Sequence, residues 1–184
     1  MPQLPDITIA GRKEATELLS SSVSWSFTHV ISINDPDQDP PGTLKKHKRK
    51  QLCLFFHDVI DPPQLVRGTG LVAPSRTDVD KIVEFASDIR AGHHLLVHCG
   101  HGISRSSAAA LVVVASKLER GPAGAVGAVK AVMRAKPTIK PNPNMVADAD
   151  AVLGYGGSLV DACHSAFQGG ELSWVPPQLD LEEE

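Results

Sequence analysis

Leu95-Leu96-Val97-His98-Cys99-Gly100-His101-Gly102-Ile103-Ser104-Arg105-Ser106 sets a cysteine and an arginine apart by five residues, two of them glycines. The apolar run Leu95 to Val97 reads as a buried parallel strand ending at His98, and Ser106 to Leu118 is rich in Ala and Val with helical spacing. Strand, tight loop and helix in that order make a phosphate-binding geometry. The loop turns successive backbone N–H groups inward at a helix N-terminus, forming a concave nest for anionic oxygens. Gly100 and Gly102 allow the bend, because without a Cβ they can take φ > 0 and let backbone approach a ligand closely.

Cys99 is expected at the floor of the nest, where N–H dipoles, the helix end and Arg105 all favour a nucleophilic thiolate. The planar fork of Arg105 can hold two oxygens at once and follow them as a reaction proceeds, which a lysine does less well.

This segment resembles the signature loop of the cysteine-based protein tyrosine phosphatases, in the small dual-specificity branch. The resemblance implies that Cys99 attacks phosphorus to give a cysteinyl-phosphate and that Arg105 binds the phosphoryl group. It also implies that the Ser106 hydroxyl eases departure of the thiolate in the second step. Gly100, His101, Gly102, Ile103 and Ser104 then form the substrate-binding loop. The competing reading is an inert buried cysteine beside an unrelated arginine, which explains neither the glycines nor the abrupt change from strand to helix.

The same resemblance calls for an aspartate general acid on an upstream loop. Leu52 to Phe56 reads as another buried strand, followed directly by His57-Asp58-Val59-Ile60-Asp61-Pro62-Pro63. Asp58 is the first carboxylate after that strand, where the family's acid falls, and Asp61 is the alternative; Asp78 or Asp80 come next. The interval from Asp58 to Cys99 exceeds that of compact members, and Gln64 to Pro74 reads as an inserted loop. Both aspartates could instead simply begin the turn at Pro62.

His98 precedes the cysteine as a histidine commonly does in the family, where it supports the loop. His101 is expected on the rim, either touching substrate or incidental. No metal is expected, since His93, His94 and His98 lack matching carboxylate or cysteine spacing, and no cofactor is implied. Lys136-Pro137-Thr138-Ile139-Lys140-Pro141-Asn142-Pro143 resembles a turn in related phosphatases whose asparagine bonds back towards the active-site loop. That gives Asn142 a supporting role, unless it only caps the helix that begins at Pro143.

The chain has 184 residues, 42% hydrophobic and 21% charged, which fits one globular domain able to bury a core. Its formal charge of −3 gives no general pull towards nucleic acid. There is no signal-like start and no run long enough to span a bilayer. Three irregularly spaced cysteines argue against a disulfide framework, so a cytoplasmic location is expected. A monomer is the expected state.

The elements alternate. Helices are expected at Gly11–Ser20, Thr77–Ala91 (capped by Thr77 with Asp80), 105–119, 123–135, 143–153 and 157–167; strands at Phe27–Ile33, Leu52–Phe56 and 95–97. This is an α/β fold, a central mostly parallel sheet flanked by helices, phosphotyrosine phosphatase-like. Residues 1–184 form a single domain with a core of about 27–167, leaving 1–10 and 170–184 peripheral. Asn34 to Pro41 reads as an exposed loop and Lys45 to Lys50 as a solvated basic run that could attract an acidic substrate or phospholipid surface.

The function so implied is hydrolysis of phosphate monoesters, on phosphotyrosine or mixed phosphoprotein substrates, since the loop lacks the lysines of phosphoinositide-directed relatives. A small phosphomonoester, phosphoinositide, nucleotide or RNA end is the alternative substrate. A non-catalytic phosphate-binding module and a sulfurtransferase are the alternative classes; retention of both Cys99 and Arg105 argues against the first, and Arg105 with Ser106 against the second.

Overall fold

The computed structural model describes residues 4–41, 49–61, 66–168 and 174–176. Most of the basic run at 45–50, Pro62 to Leu65 and the acidic end from Gln178 lie outside the described residues. Among the described residues four strands form one sheet: β1 (Asp6–Gly11), β2 (His29–Asn34), β3 (Lys50–Phe55) and β4 (His94–Cys99). Their order is β1-β4-β2-β3 and every pairing is parallel. All strands therefore end on one side, which collects the polypeptide that follows each of them.

Among the described residues six helices cover the sheet unequally. α1 (Arg12–Ser20) lies on one face with a short 3₁₀ turn at Ser22–Ser26, packing Ala15 and Leu19 against Ala10, Val30 and Leu96. α2 (Arg76–Ala86), α3 (Arg105–Ala115), α4 (Pro122–Ala135), α5 (Pro143–Leu153) and α6 (Ser158–Phe167) build the other side. There α3 is the central piece. Every residue from Arg105 to Ala115 is buried, which suits a helix that is apolar all round and touches the sheet as well as α2, α4 and α5. The β-branched run Val112 to Val114 is a modest cost in helix propensity that this burial outweighs. No helix of the described residues is long and apolar enough to cross a membrane.

Several expectations change. The strand read as buried at Leu52–Phe56 is the edge strand Lys50–Phe55, with Cys53 and Phe55 exposed, because among the described residues it has a neighbour on one side only. The helix expected over Thr77–Ala91 ends at Ala86. Residues 1–10 are not peripheral as a whole, because Asp6–Gly11 is a strand with Ile9 and Ala10 buried. Within 170–184, Trp174 joins the core at 5% exposure and its indole N–H donates to the Pro141 carbonyl at 2.6 Å. The cap of α2 is Ser75 with Asp78 rather than Thr77 with Asp80. The Asp78 carboxylate takes the Ser75 N–H at 3.1 Å while Ser75 Oγ receives the Asp78 N–H at 3.4 Å. Finally, Asn34 belongs to β2 and is buried, its amide bonded to Ser32 Oγ and to Arg12.

His98 stands in β4 with no solvent exposure, and neither ring nitrogen has a hydrogen-bond partner. Burial first, and then the charge of Arg12, lower its pKa to about 4, partly offset by the Cys99 peptide. Below about pH 6.5 the unfolded chain takes up a proton that folded His98 refuses until near pH 4, so stability falls as pH drops through that window. The loss attributable to this group approaches roughly 3 kcal/mol at the acid end. His98→Leu should therefore lose less stability than the parent between pH 7 and pH 4.5 in urea unfolding, and parallel losses would exclude this role.

Candidate active site

The carboxyl end of β4 runs straight into the loop 99–105, whose path depends on β1. Gly102 has φ +74°, and a Cβ there would lie 2.4 Å from the Ala10 carbonyl carbon and 2.5 Å from the Gly11 nitrogen. The loop thus rests on bare backbone, and the Arg12 N–H ties it down at the Gly100 carbonyl, 3.0 Å away. On the opposite side, the Lys140 N–H donates to Ile103 O at 3.0 Å and the Asn142 N–H to Ser104 O at 3.3 Å.

Cys99 is buried, as the floor of a nest should be. Its Sγ receives the Gly102 N–H at 3.3 Å and lies 3.3 Å from the hydroxyl of Ser106, itself fully buried. Among the described residues nothing accepts the N–H groups of Gly100, His101, Ile103 or Ser104. A run of free backbone donors around one sulfur is an anion-binding surface. His101 and Ile103 are exposed at its rim.

Arg105 begins α3 and is only 4% exposed. One terminal nitrogen, Nη1, donates to Asp35 Oδ1 at 2.6 Å and to the Phe56 carbonyl at 2.7 Å, while its buried Nε makes no hydrogen bond. The guanidinium is held on one side and has donor capacity left on the other. Asp35 was missed by the sequence reading, which placed it in an exposed loop. Its ion pair with Arg105 spans 70 residues of chain, and no local pattern signals it.

Asp58 reaches the same loop. Its Oδ1 accepts from Ser104 Oγ at 2.6 Å and from Asn142 Nδ2 at 2.9 Å. Asp61 contributes its backbone carbonyl, which accepts from Asn144 Nδ2 at 3.0 Å. Asn142 Nδ2 also donates to Val59 O at 3.0 Å, while its Oδ1 caps α5 by accepting the Met145 N–H at 3.2 Å; its contact with the 99–105 loop is made by its backbone N–H. Asn144, a second asparagine not singled out from sequence, donates to Val59 O at 3.1 Å. His98 alternates with Val97 and Cys99 along β4 and so shares the α1 face of the sheet with Leu96.

The other cysteines stand apart in character. All three thiols are free, Cys53 lies exposed on β3, and burial pushes the Cys163 thiol up to about 12. Among the described residues no three His, Cys, Asp or Glu side chains cluster as metal ligands.

No protein-family model matches the chain, and no curated protein sequence matches it. Solved structures do. The Yvh1 phosphatase domain from Chaetomium thermophilum aligns with a TM-score of 0.56 at 18% identity, covering 86% of this chain and 98% of that one. Human DUSP28 gives 0.51 at 18% identity over 84% and 96%. PTPMT1 in complex with PI(5)P gives 0.53 at 18% identity over 81% and 90%. A likeness that takes in nearly the whole of those domains gives this chain the fold that those structures share.

Proposed function

We propose that the protein hydrolyses phosphate monoesters through a cysteinyl-phosphate on Cys99. The observation that carries this reading is the convergence on one sulfur: a donated N–H from Gly102, the Ser106 hydroxyl, and a loop of free N–H groups bounded by Arg105 and Asp58. Phosphotyrosine or mixed phosphoprotein substrates are the favoured class, because residues 100–104 contain no lysine to meet further phosphates.

In the first step the Cys99 thiolate attacks phosphorus. The S–P bond forms as the bond from phosphorus to the leaving oxygen breaks, and protonated Asp58 gives its proton to that oxygen. Ser104 and Asn142 both hold Oδ1, which leaves Oδ2 to carry the proton. Arg105 and the loop N–H groups bind the equatorial oxygens as charge shifts among them. In the second step water attacks phosphorus and passes a proton to the Asp58 carboxylate. The S–P bond breaks, inorganic phosphate leaves, and the sulfur regains its negative charge with the Ser106 hydroxyl 3.3 Å away to receive it.

A phosphoinositide is the second reading, favoured by the similarity to PTPMT1 solved with PI(5)P. Turnover of a phosphotyrosyl peptide against that of a soluble phosphoinositide separates the two.

Vanadate-sensitive hydrolysis of an aryl phosphate is the primary assay. Cys99→Ser should abolish turnover yet keep phosphate binding by calorimetry, since the nest and Arg105 remain while the nucleophile is lost. Turnover within tenfold of the parent would end the covalent mechanism. Arg105→Lys should lose on the order of 10²-fold or more, because a point charge cannot reproduce a planar fork.

A third set of measurements separates the aspartates. Asp58→Asn should slow phenyl phosphate by about 10²-fold or more, affect an activated aryl phosphate far less, and remove the alkaline limb of the pH profile. Asp61→Asn should stay within about threefold of the parent on both. The reverse pattern would make Asp61 the acid.

A further inference from the structure

The residue just before Asp58 makes a paired contact that the chemistry above does not use. The His57 N–H donates to the Val72 carbonyl at 2.7 Å, and the Val72 N–H donates to His57 Nδ1 at 2.9 Å. The first bond is open to any residue with an N–H. The second requires an acceptor at the position of Nδ1, so the ring carries its proton on Nε2.

The turn that Val72 belongs to is otherwise closed on itself. The Thr69 N–H and hydroxyl both donate to the Val66 carbonyl, at 3.2 and 2.7 Å, and the Leu71 N–H donates to Thr69 Oγ1 at 3.3 Å. Gly68 and Gly70 take φ of +80° and +81°, and Leu71 and Val72 are about half exposed. Among the hydrogen bonds of the described residues, the His57 pair is the one that joins this turn to the loop bearing Asp58.

Each residue at the start of that loop has its own fixing. Phe56 is held by Asn34 and Arg105, His57 by Val72, Asp58 by Ser104 and Asn142, and Val59 by Asn142 and Asn144. The anchors on Asp58 and Val59 come from the α3 and α5 side, so His57 supplies the restraint on the outer side. A proton donor must sit within about 2.6–3.2 Å of its target, and a displacement of about 1 Å is enough to cost rate.

We propose that His57 is a positioning residue for the general acid. By accepting the Val72 N–H at Nδ1 it clamps the turn 66–72 to the loop and fixes the backbone from which Asp58 projects. The proposal rests on the reading of Asp58 as the acid.

Two substitutions separate acceptor from bulk. His57→Phe keeps the ring and the first bond but loses the acceptor; His57→Asn loses the ring but places Oδ1 where Nδ1 stood. For His57→Phe, kcat/KM on phenyl phosphate should fall at least about tenfold, with 2,4-dinitrophenyl phosphate changed less than about threefold, because an activated phenolate leaves unaided. His57→Asn should stay within about threefold of the parent on both substrates. Equal slowing of the two substrates, or equal behaviour of the two variants, would overturn the proposal. Should His57→Phe fail to fold, Val72→Pro deletes the donor from the opposite side and carries the same expectation. Asp58→Asn measured alongside distinguishes the two levels. If it shows no leaving-group dependence, the acid reading fails and takes the clamp with it; if it does and His57→Phe does not, the clamp alone fails.

Discussion

Burial of the Arg105 guanidinium sets the arrangement of the whole carboxyl end of the sheet. A permanently charged group at 4% exposure needs partners, and the two that Arg105 has, both at Nη1, come from the ends of other strands: Asp35 after β2 and the Phe56 carbonyl after β3. The ion pair and the carbonyl bond together therefore join the 99–105 loop to both neighbouring loops. They also orient the guanidinium through one terminal nitrogen, so the rest of the group keeps a fixed aspect towards the loop. Removing Asp35 would leave the charge buried with less to meet it, a worse outcome than never having had a pair.

The second constraint is steric rather than electrostatic. Gly102 lies so close to the Ala10–Gly11 backbone that no side chain fits, and Gly11 in turn has the His101 carbonyl 3.1 Å from where its own Cβ would be. Loop and strand are pressed together, which gives the nest a rigid wall without using side chains. The asparagines of the α5 turn complete it from the other side. Asn142 meets the loop through its own N–H and reaches the Asp58 carboxylate through its side chain, so the 99–105 loop and the Asp58 loop share one brace.

Legibility of these features in the sequence follows how far apart their parts lie. The strand, loop and helix around Cys99 and Arg105 are contiguous, and their chemistry is written in residue types at fixed spacing. Helix α5 was equally plain, because Pro143 after Asn142 signals a start. β1 was hidden: Asp6-Ile7-Thr8-Ile9-Ala10-Gly11 is short and half polar, and it becomes a strand by pairing with β4, far along the chain. Asp35 was hidden among Asp and Pro residues that read as solvated turn. Ser75 with Asp78 and Thr77 with Asp80 are two frames of one pattern, and only the backbone distinguishes them. His57 and Trp174 gave no pattern, since each acts through a single distant backbone partner.

The sheet order has a further bearing, on the sequence of events by which the chain acquires its shape. β1 stands at an edge and its only strand partner among the described residues is β4, whereas β2 and β3 are neighbours in both sequence and space. During synthesis from the N-terminus, β2 and β3 can meet while β1 still waits for His94–Cys99 to emerge. Since Gly102 closes on β1, the nest is assembled late and by a long-range contact, the kind that slows folding most. A nascent chain that stops short of β4 carries an unpaired strand edge and no closed 99–105 loop, so the burial of Cys99 arrives together with completion of the sheet.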